Sequence, residues 1–247
     1  MVHGGFCAAW VFEEFRAPFE AAGHTVFTPD LPGHAGARPS VAGLSMGDYA
    51  KAIATLARQQ SRPPILIGHS LGGLVVQLAA TRTPVAALIL LAPSAPWGVT
   101  GATLEEGLSA VTLYSLGPYW LQAVDPDFGA AKLYLFDHMP KASRRRMFDR
   151  MTPESGFALW QTLNWWLDPT ASTMVSRAAI KAPVIAFAGE KDVIHSPATV
   201  RATAERIGGE TRVLPGRGHW LMGEAGWEAL AADCLAWLDR LDTLNAA

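Results

Sequence analysis

The sequence predicts an α/β fold: a doubly wound, mostly parallel sheet carrying an inserted helical cap. Three observations predict it. The strongest apolar runs are continuous rather than alternating, as strands buried on both faces require. They alternate with helical patterns, the order that builds parallel βα units. The rhythm then breaks between residues 95 and 179, where no strand-like run appears.

Taken in order, residues 10–22 carry an apolar helical face that stops at Gly23, a residue suited to the left-handed helix end. Residues 25–28 (TVFT) read as a short strand ending at Pro29-Asp30. Ser45 and Asp48 have the spacing of a capping box at the head of a helix through about residue 59. A second strand is expected at 64–68 (PILIG), followed by an apolar helix at 71–81. A third is expected at 85–92 (VAALILLA), between Pro84 and Pro93. After the insertion come strands at 183–188 (PVIAFA) and 211–214, then an amphipathic helix at 227–241. The expected division is a core of 1–94 and 180–247, with residues 95–179 as the cap. Large apolar residues crowd that insertion.

Composition narrows the function classes. The chain has 247 residues, half of them apolar, enough for one large domain with a substantial core. A net charge of −2 lacks the basic surplus of nucleic-acid binders. The one basic run, 141–150 (KASRRRMFDR), is read as a solvated helix face. No apolar run reaches membrane-spanning length. The first ten residues lack the charged start of a secretory signal, so a cytoplasmic location is expected. Cys7 and Cys234 have neither metal-ligand nor CxxC spacing and are expected to be reduced and packed.

The chemistry centres on Gly68-His69-Ser70-Leu71-Gly72-Gly73. This is G-x-S-x-G between a predicted strand and a predicted helix, the context the motif needs. Ser70 is the candidate nucleophile. The turn is strained, so its neighbours must be small. Serine needs a base, and the candidate is His219 in GRGHW, with His195 as rival. His69 is expected to point away from the nucleophile. The base needs a carboxylate to fix its tautomer. Asp192, at the carboxyl end of PVIAFA, is the candidate and Glu190 the nearest alternative. Glu224 is expected to cap or to face solvent. The backbone N–H of Leu71 is one expected oxyanion donor. The second comes from His3-Gly4-Gly5-Phe6, with Gly5 N–H the first choice and Phe6 N–H the second. These glycines also suit a tight turn. Trp97 and Trp120 are candidate pocket walls, and the cap tryptophans serve equally well to pack the insertion onto the sheet. Trp220 is read as structural. No metal ligands are apparent.

Together these segments resemble the α/β-hydrolase superfamily over nearly the whole chain. HGG near the start, DLPGH at 30–34, GHSLGG, GEKD and GRGHW occur in order. The resemblance implies an eight-stranded sheet, a Ser-Asp-His triad, and neither metal nor organic cofactor. A serine at position 70 argues against the members with aspartate nucleophiles. The segment HGGFCAAWVFEEF is also similar to the opening of the plant methylesterase and hydroxynitrile lyase group. The expected activity is hydrolysis of a small or medium apolar carboxylic ester. C–C cleavage, amide hydrolysis, perhydrolysis and cyanohydrin lysis are alternatives on the same triad, and a non-hydrolysing receptor is a third reading. The expected partner is a small molecule, with monomer or homodimer left open. In the resembled family the HG motif ends a buried central strand, and only Met1 and Val2 precede it here. The natural chain is therefore expected to begin upstream of Met1.

Overall fold

The structure, a computed structural model, describes residues 1–35 and 40–246. Four strands form a parallel sheet: β1 (Ile65–His69), β2 (Ala87–Leu91), β5 (Val184–Gly189) and β6 (Glu210–Leu214), in the order β1-β2-β5-β6. The register runs Ile67↔Ile89↔Ile185↔Glu210. All four strands at 65–69, 87–91, 184–189 and 210–214 lie where continuous apolar or β-rich runs predict them.

The pleat divides the core into two layers, because successive side chains leave a strand on opposite faces. Leu66, Leu88, Leu90 and Ala186 pack on one face with α2 (Met46–Arg58), α3 (Leu71–Ala80) and α8 (Pro197–Arg206). Ile67, Ile89, Leu91, Ile185 and Phe187 pack on the other with Phe12, Phe15, Trp220 and the helix α9 (Trp227–Ala246). Burial on both faces explains why these strands read as unbroken apolar runs. Both cysteines are buried and free, and burial pushes both thiols well above their ordinary pKa.

Local chemistry sets the helix ends. Asp48 N–H donates to Ser45 Oγ (3.1 Å) and Ser45 N–H to Asp48 Oδ2 (2.9 Å), the reciprocal capping box at the start of α2. The expected helix over 10–22 is instead a 3₁₀ turn, Ala9–Phe12, followed by the short helix α1 (Ala17–Ala21). Pro18 accounts for the break. It has no N–H to continue an earlier helix, yet suits the first turn of a new one. Gly23, at φ +91°, ends it as expected.

Two further expectations change. Residues 25–28 form no ladder. The Met1 ammonium reaches Phe27 O (2.6 Å), and a groove of about 490 Å³ is lined by Thr25 and Phe27 of this segment and by Ile65 and Ile67 of β1. Among the described residues, then, the main sheet has four strands rather than the eight implied by resemblance. A single parallel bridge adds Val2, with Val2 N–H to Ile67 O (2.8 Å) and His69 N–H to Val2 O (3.1 Å).

Secondly, the segment 95–179 is not free of strand. It holds α4 (Leu104–Tyr114), α5 (Phe128–Ala130), α6 (Lys141–Phe148) and α7 (Gly156–Leu163), but β3 (Ala123–Val124) and β4 (Glu154–Ser155) pair antiparallel within it. Two residues per strand are too few to show as a sequence period. Among the described residues no helix is long and apolar enough to cross a membrane.

Candidate active site

Because the strands are parallel, the loops leaving β1, β5 and β6 emerge at one edge of the sheet. Such carboxyl edges are where open α/β sheets bind ligands. The three candidate residues lie on those loops.

Ser70 follows β1 directly, at φ +51° and ψ −122°, a left-handed conformation rarely adopted by a residue with a side chain. Its N–H donates to Leu91 O (3.0 Å), and its carbonyl accepts from Gly73 N–H (2.8 Å) and Ser94 N–H (2.9 Å). Close packing makes the flanking glycines necessary. A Cβ on Gly68 would lie 2.4 Å from Gly72 O, and one on Gly72 would lie 2.2 Å from His3 O. The 3–6 loop therefore rests on the head of α3. A Cβ on Gly4 would come within 2.9 Å of Ser70 Cβ, and one on Gly5 would sit 3.7 Å from Leu71 Cδ2. The loop that carries Gly5, one expected oxyanion donor, thus packs against Ser70 through Gly4 and against the side chain of Leu71, the other, through Gly5. Phe6 N–H is already engaged by Glu154 Oε2 (3.3 Å).

Asp192 lies just beyond β5 and is buried. Its Oδ1 accepts from the N–H groups of Ile194 (2.8 Å) and His195 (2.9 Å), and its Oδ2 meets His219 Nδ1 at 2.8 Å. The carboxylate accepts a hydrogen bond from the His219 ring but only from the main chain of His195. The His195 ring turns instead to Ser94 Oγ (3.0 Å) and packs edge-on against His219, with centroids 5.2 Å apart. Glu190, the nearest alternative, is exposed and accepts instead from Gly216 N–H (2.9 Å), fixing that loop.

Burial tunes both partners toward their neutral forms. It pushes Asp192 up to about 6 and His219 down to about 3. His195 falls to about 4 by burial and by the nearby His219, against the pull of Asp192. Near neutral pH Asp192 is ionised and His219 neutral. With Nδ1–H given to Asp192, Nε2 keeps a lone pair that can accept a proton.

The loop carrying His219 is held from several sides. Glu224 corrects an expectation: it does not face solvent. It is buried, and its carboxylate accepts from Gly218 N–H (2.9 Å), Trp220 N–H (3.0 Å) and Arg217 Nε (3.2 Å). Glu224 follows His219 closely because it clamps that loop. His69 Nε2 donates to His219 O (3.0 Å), so the side chain expected to turn away from Ser70 braces the candidate base. Trp220 is fully buried against His69 and Phe136, as a structural residue should be.

The structure places each of the two candidate pocket walls against a neighbouring aromatic. Trp97 packs edge-on against Trp165 (5.3 Å), and Trp120 lies on the surface against Tyr119 (5.6 Å). Sequence reasoning also missed Glu154. This fully buried carboxylate accepts from Tyr49 OH (2.6 Å) and Ser155 N–H (2.7 Å) and meets His34 Nε2 at 3.2 Å. Its one sequence signal is an acidic residue two places before the apolar stretch 156–160. Burial alone would raise the Glu154 pKa, but the bond and charge of His34 and the other donors outweigh it, leaving the carboxyl below its ordinary value. Burial likewise opposes a charged His34, yet its contact with Glu154 holds that imidazole above its ordinary value. Among the described residues no three His, Cys, Asp or Glu side chains converge as a metal site.

Known proteins place this geometry. A probable esterase of Oryza sativa subsp. indica, PIR7A, is 38% identical over 113 residues, 42% of this chain and 43% of that protein. A pyrethroid hydrolase of Sphingobium wenxiniae is 33% identical over 96 residues, 37% of this chain and 34% of the relative. The match thus spans less than half the length of these curated relatives. Similarity to solved structures extends over almost all of the chain. A monoacylglycerol lipase of Paleococcus ferrophilus superposes with TM-score 0.70 at 22% identity, covering 96% of this chain and 91% of the other. The methylesterase MES16 of Arabidopsis gives TM-score 0.72 at 19% identity, covering 96% and 98%. At these identities the structures show a shared fold. The family model described as alpha/beta hydrolase family matches residues 1–233. Since that match runs from the first residue through the sheet and into α9, the chain belongs to the alpha/beta hydrolase family.

Proposed function

We propose that this protein is a serine hydrolase of carboxylic esters, acting through an acyl-enzyme on Ser70. One observation carries the reading: the buried Asp192–His219 pair, 2.8 Å apart, on loops at the same sheet edge as the strained Ser70 turn. In the proposed reaction His219 Nε2 takes the Ser70 hydroxyl proton as Oγ attacks the ester carbonyl. Asp192 stabilises the imidazolium that forms. The amides of Leu71 and Gly5 face the developing oxyanion; Phe6 N–H is committed to Glu154. His219 then protonates the departing alkoxide, activates a water, and returns that water's proton to Ser70 as the acid leaves.

A small or medium apolar ester fits this reading, as does a role for residues 95–179 as a cap over a core of 1–94 and 180–247. The aromatic residues of that segment favour apolar ligands. The names of the relatives, an esterase and a pyrethroid hydrolase, point the same way.

The test is fluorophosphonate labelling beside a panel of p-nitrophenyl esters of graded chain length. Labelling and turnover in the wild type, both lost in Ser70→Ala, are expected. Equal labelling of Ser70→Ala would remove Ser70 as nucleophile. Labelling without turnover on any ester would redirect the reading to another chemistry on the same residues.

A further inference from the structure

The buried carboxylate of Glu154 has no part in the proton transfers above, yet it touches the loop that bears one of the proposed oxyanion donors. Phe6 N–H donates to Glu154 Oε2 (3.3 Å), and the same oxygen lies 3.5 Å from where a Cβ on Gly5 would be. The grip extends along the chain: Thr152 N–H donates to Phe6 O (2.9 Å) and Thr152 Oγ1 to Cys7 O (3.1 Å). Residues 152–154 therefore hold both peptides that flank Phe6.

Such a grip has a physical purpose. Phe6 sits at φ +61°, a conformation that costs a residue with a side chain about 1–3 kcal/mol and persists only where its surroundings impose it. Relaxation of Phe6 would rotate the Gly5–Phe6 peptide and swing the backbone at Gly5. Glu154 is itself well anchored. Tyr49 OH on α2 and its own neighbour Ser155 N–H hold Oε1, and His34 shares Oε2 with Phe6. A bare carboxylate beside a developing oxyanion would oppose it. Here hydrogen-bond donors face both oxygens and draw that charge away.

We infer that Glu154, though carried by the inserted segment, is a positioning residue for the reaction: through Phe6 N–H it fixes the Gly5–Phe6 peptide and thereby aims the second oxyanion donor. The inference rests on the assignment of Ser70 and Gly5 proposed above.

Glu154→Gln tests it with little change of volume. An amide offers one acceptor oxygen, so it cannot accept from Phe6 on one side and from Tyr49 and Ser155 on the other. The first readout is the rate at which a fluorophosphonate labels Ser70. Ser70 Oγ displaces fluoride, and the phosphoryl oxygen occupies the same hole, so the natural substrate need not be known. The second is the split between kcat and KM on p-nitrophenyl acetate, with thermal unfolding recorded alongside.

Glu154→Gln is expected to label about tenfold more slowly, with kcat falling in step and KM within about twofold, as for a misaimed donor rather than a lost pocket. Tyr49→Phe, which loosens the carboxylate without removing it, is expected to label about threefold more slowly. A folded Glu154→Gln that labels at the wild-type rate, or whose loss falls on KM alone, overturns the inference. Should that variant not fold, Tyr49→Phe decides: slower labelling supports the inference and a wild-type rate overturns it. Equal labelling of Ser70→Ala would remove the serine assignment and this inference with it. Ser70-dependent labelling indifferent to Glu154 removes this inference alone.

Discussion

In the proposed reaction Asp192 is a side chain that trades stability for activity. Burial lifts its folded pKa from 3.8 to about 6. Between those values the folded protein binds the proton more tightly than the unfolded chain. The resulting stabilisation is complete below about pH 4 and lost as pH rises through about 6. At pH 7.5 the ionised carboxylate is thus a buried charge held at a cost. Asp192→Asn removes that charge, while its amide oxygen can still accept from Ile194 and His195. The variant is expected to melt higher than wild type at pH 7.5, with the difference shrinking toward pH 5. Its turnover should fall by about 10⁴, because the amide favours the wrong imidazole tautomer. For the wild type, kcat/KM should decline below about pH 6 as Asp192 takes up a proton. A pH–rate profile beside melting curves checks both statements; an acid limb that stays flat to pH 4.5 would contradict the assignment. At this scale Ser70, Asp192 and His219 could be named as candidates because each stands in a short motif at the end of a predicted strand, and the Asp192–His219 contact follows that pairing. Glu154, Tyr49 and His34 were not. They lie more than 100 residues apart at the extremes, and only the fold brings them together.

Among the elements, the turn from β1 into α3 depends most on what is missing from its side chains. A Cβ at position 72 would press on both Val2 O (2.4 Å) and His3 O (2.2 Å), which are main-chain atoms with little room to retreat. Gly72→Ala is expected to destabilise the protein by about 1–3 kcal/mol or more and to lower labelling of Ser70 by displacing the 3–6 loop. Denaturant unfolding of the variant measures the first effect and a fluorophosphonate the second. Sequence legibility divided here along physical lines. β1, β2 and β5 are covered on both faces and announce themselves as apolar runs, while α2 carries its own capping box. Residues 25–28 have the right propensity, but a strand needs a run of ladder bonds, and among the described residues this segment has the one bond from the Met1 ammonium to Phe27 O beside a groove. β3 and β4 are set by a pairing too short to leave a period.

The molecule as a whole spreads its apolar surface unevenly. The helix α4 exposes Leu104 (74%), Leu108 (50%) and Val111 (54%) along one stripe. These side chains contribute little burial, so replacing all three with Gln should leave the melting temperature within about 2–4 °C of wild type. It should also weaken any self-association, as loss of an exposed apolar stripe does. Melting curves with sedimentation velocity test both outcomes, and a large fall in melting temperature would show the stripe to be packed in solution. Overall architecture was legible from the alternation of runs. The hydrogen bonds from residues 152–154 to Phe6 and Cys7 were not, since they join two stretches that each look self-sufficient. Those bonds bear on how such a protein can be recombined. A chimera with crossovers at 95 and 179 would take a foreign insertion in place of Thr152 and Glu154 and leave Phe6 to a stranger. On the proposed reading of Ser70 and Glu154, selectivity and turnover would be inherited together: a graft meant to change which ester enters would also disturb how fast it is cleaved, unless the donor brought its own equivalent of the Glu154 contact.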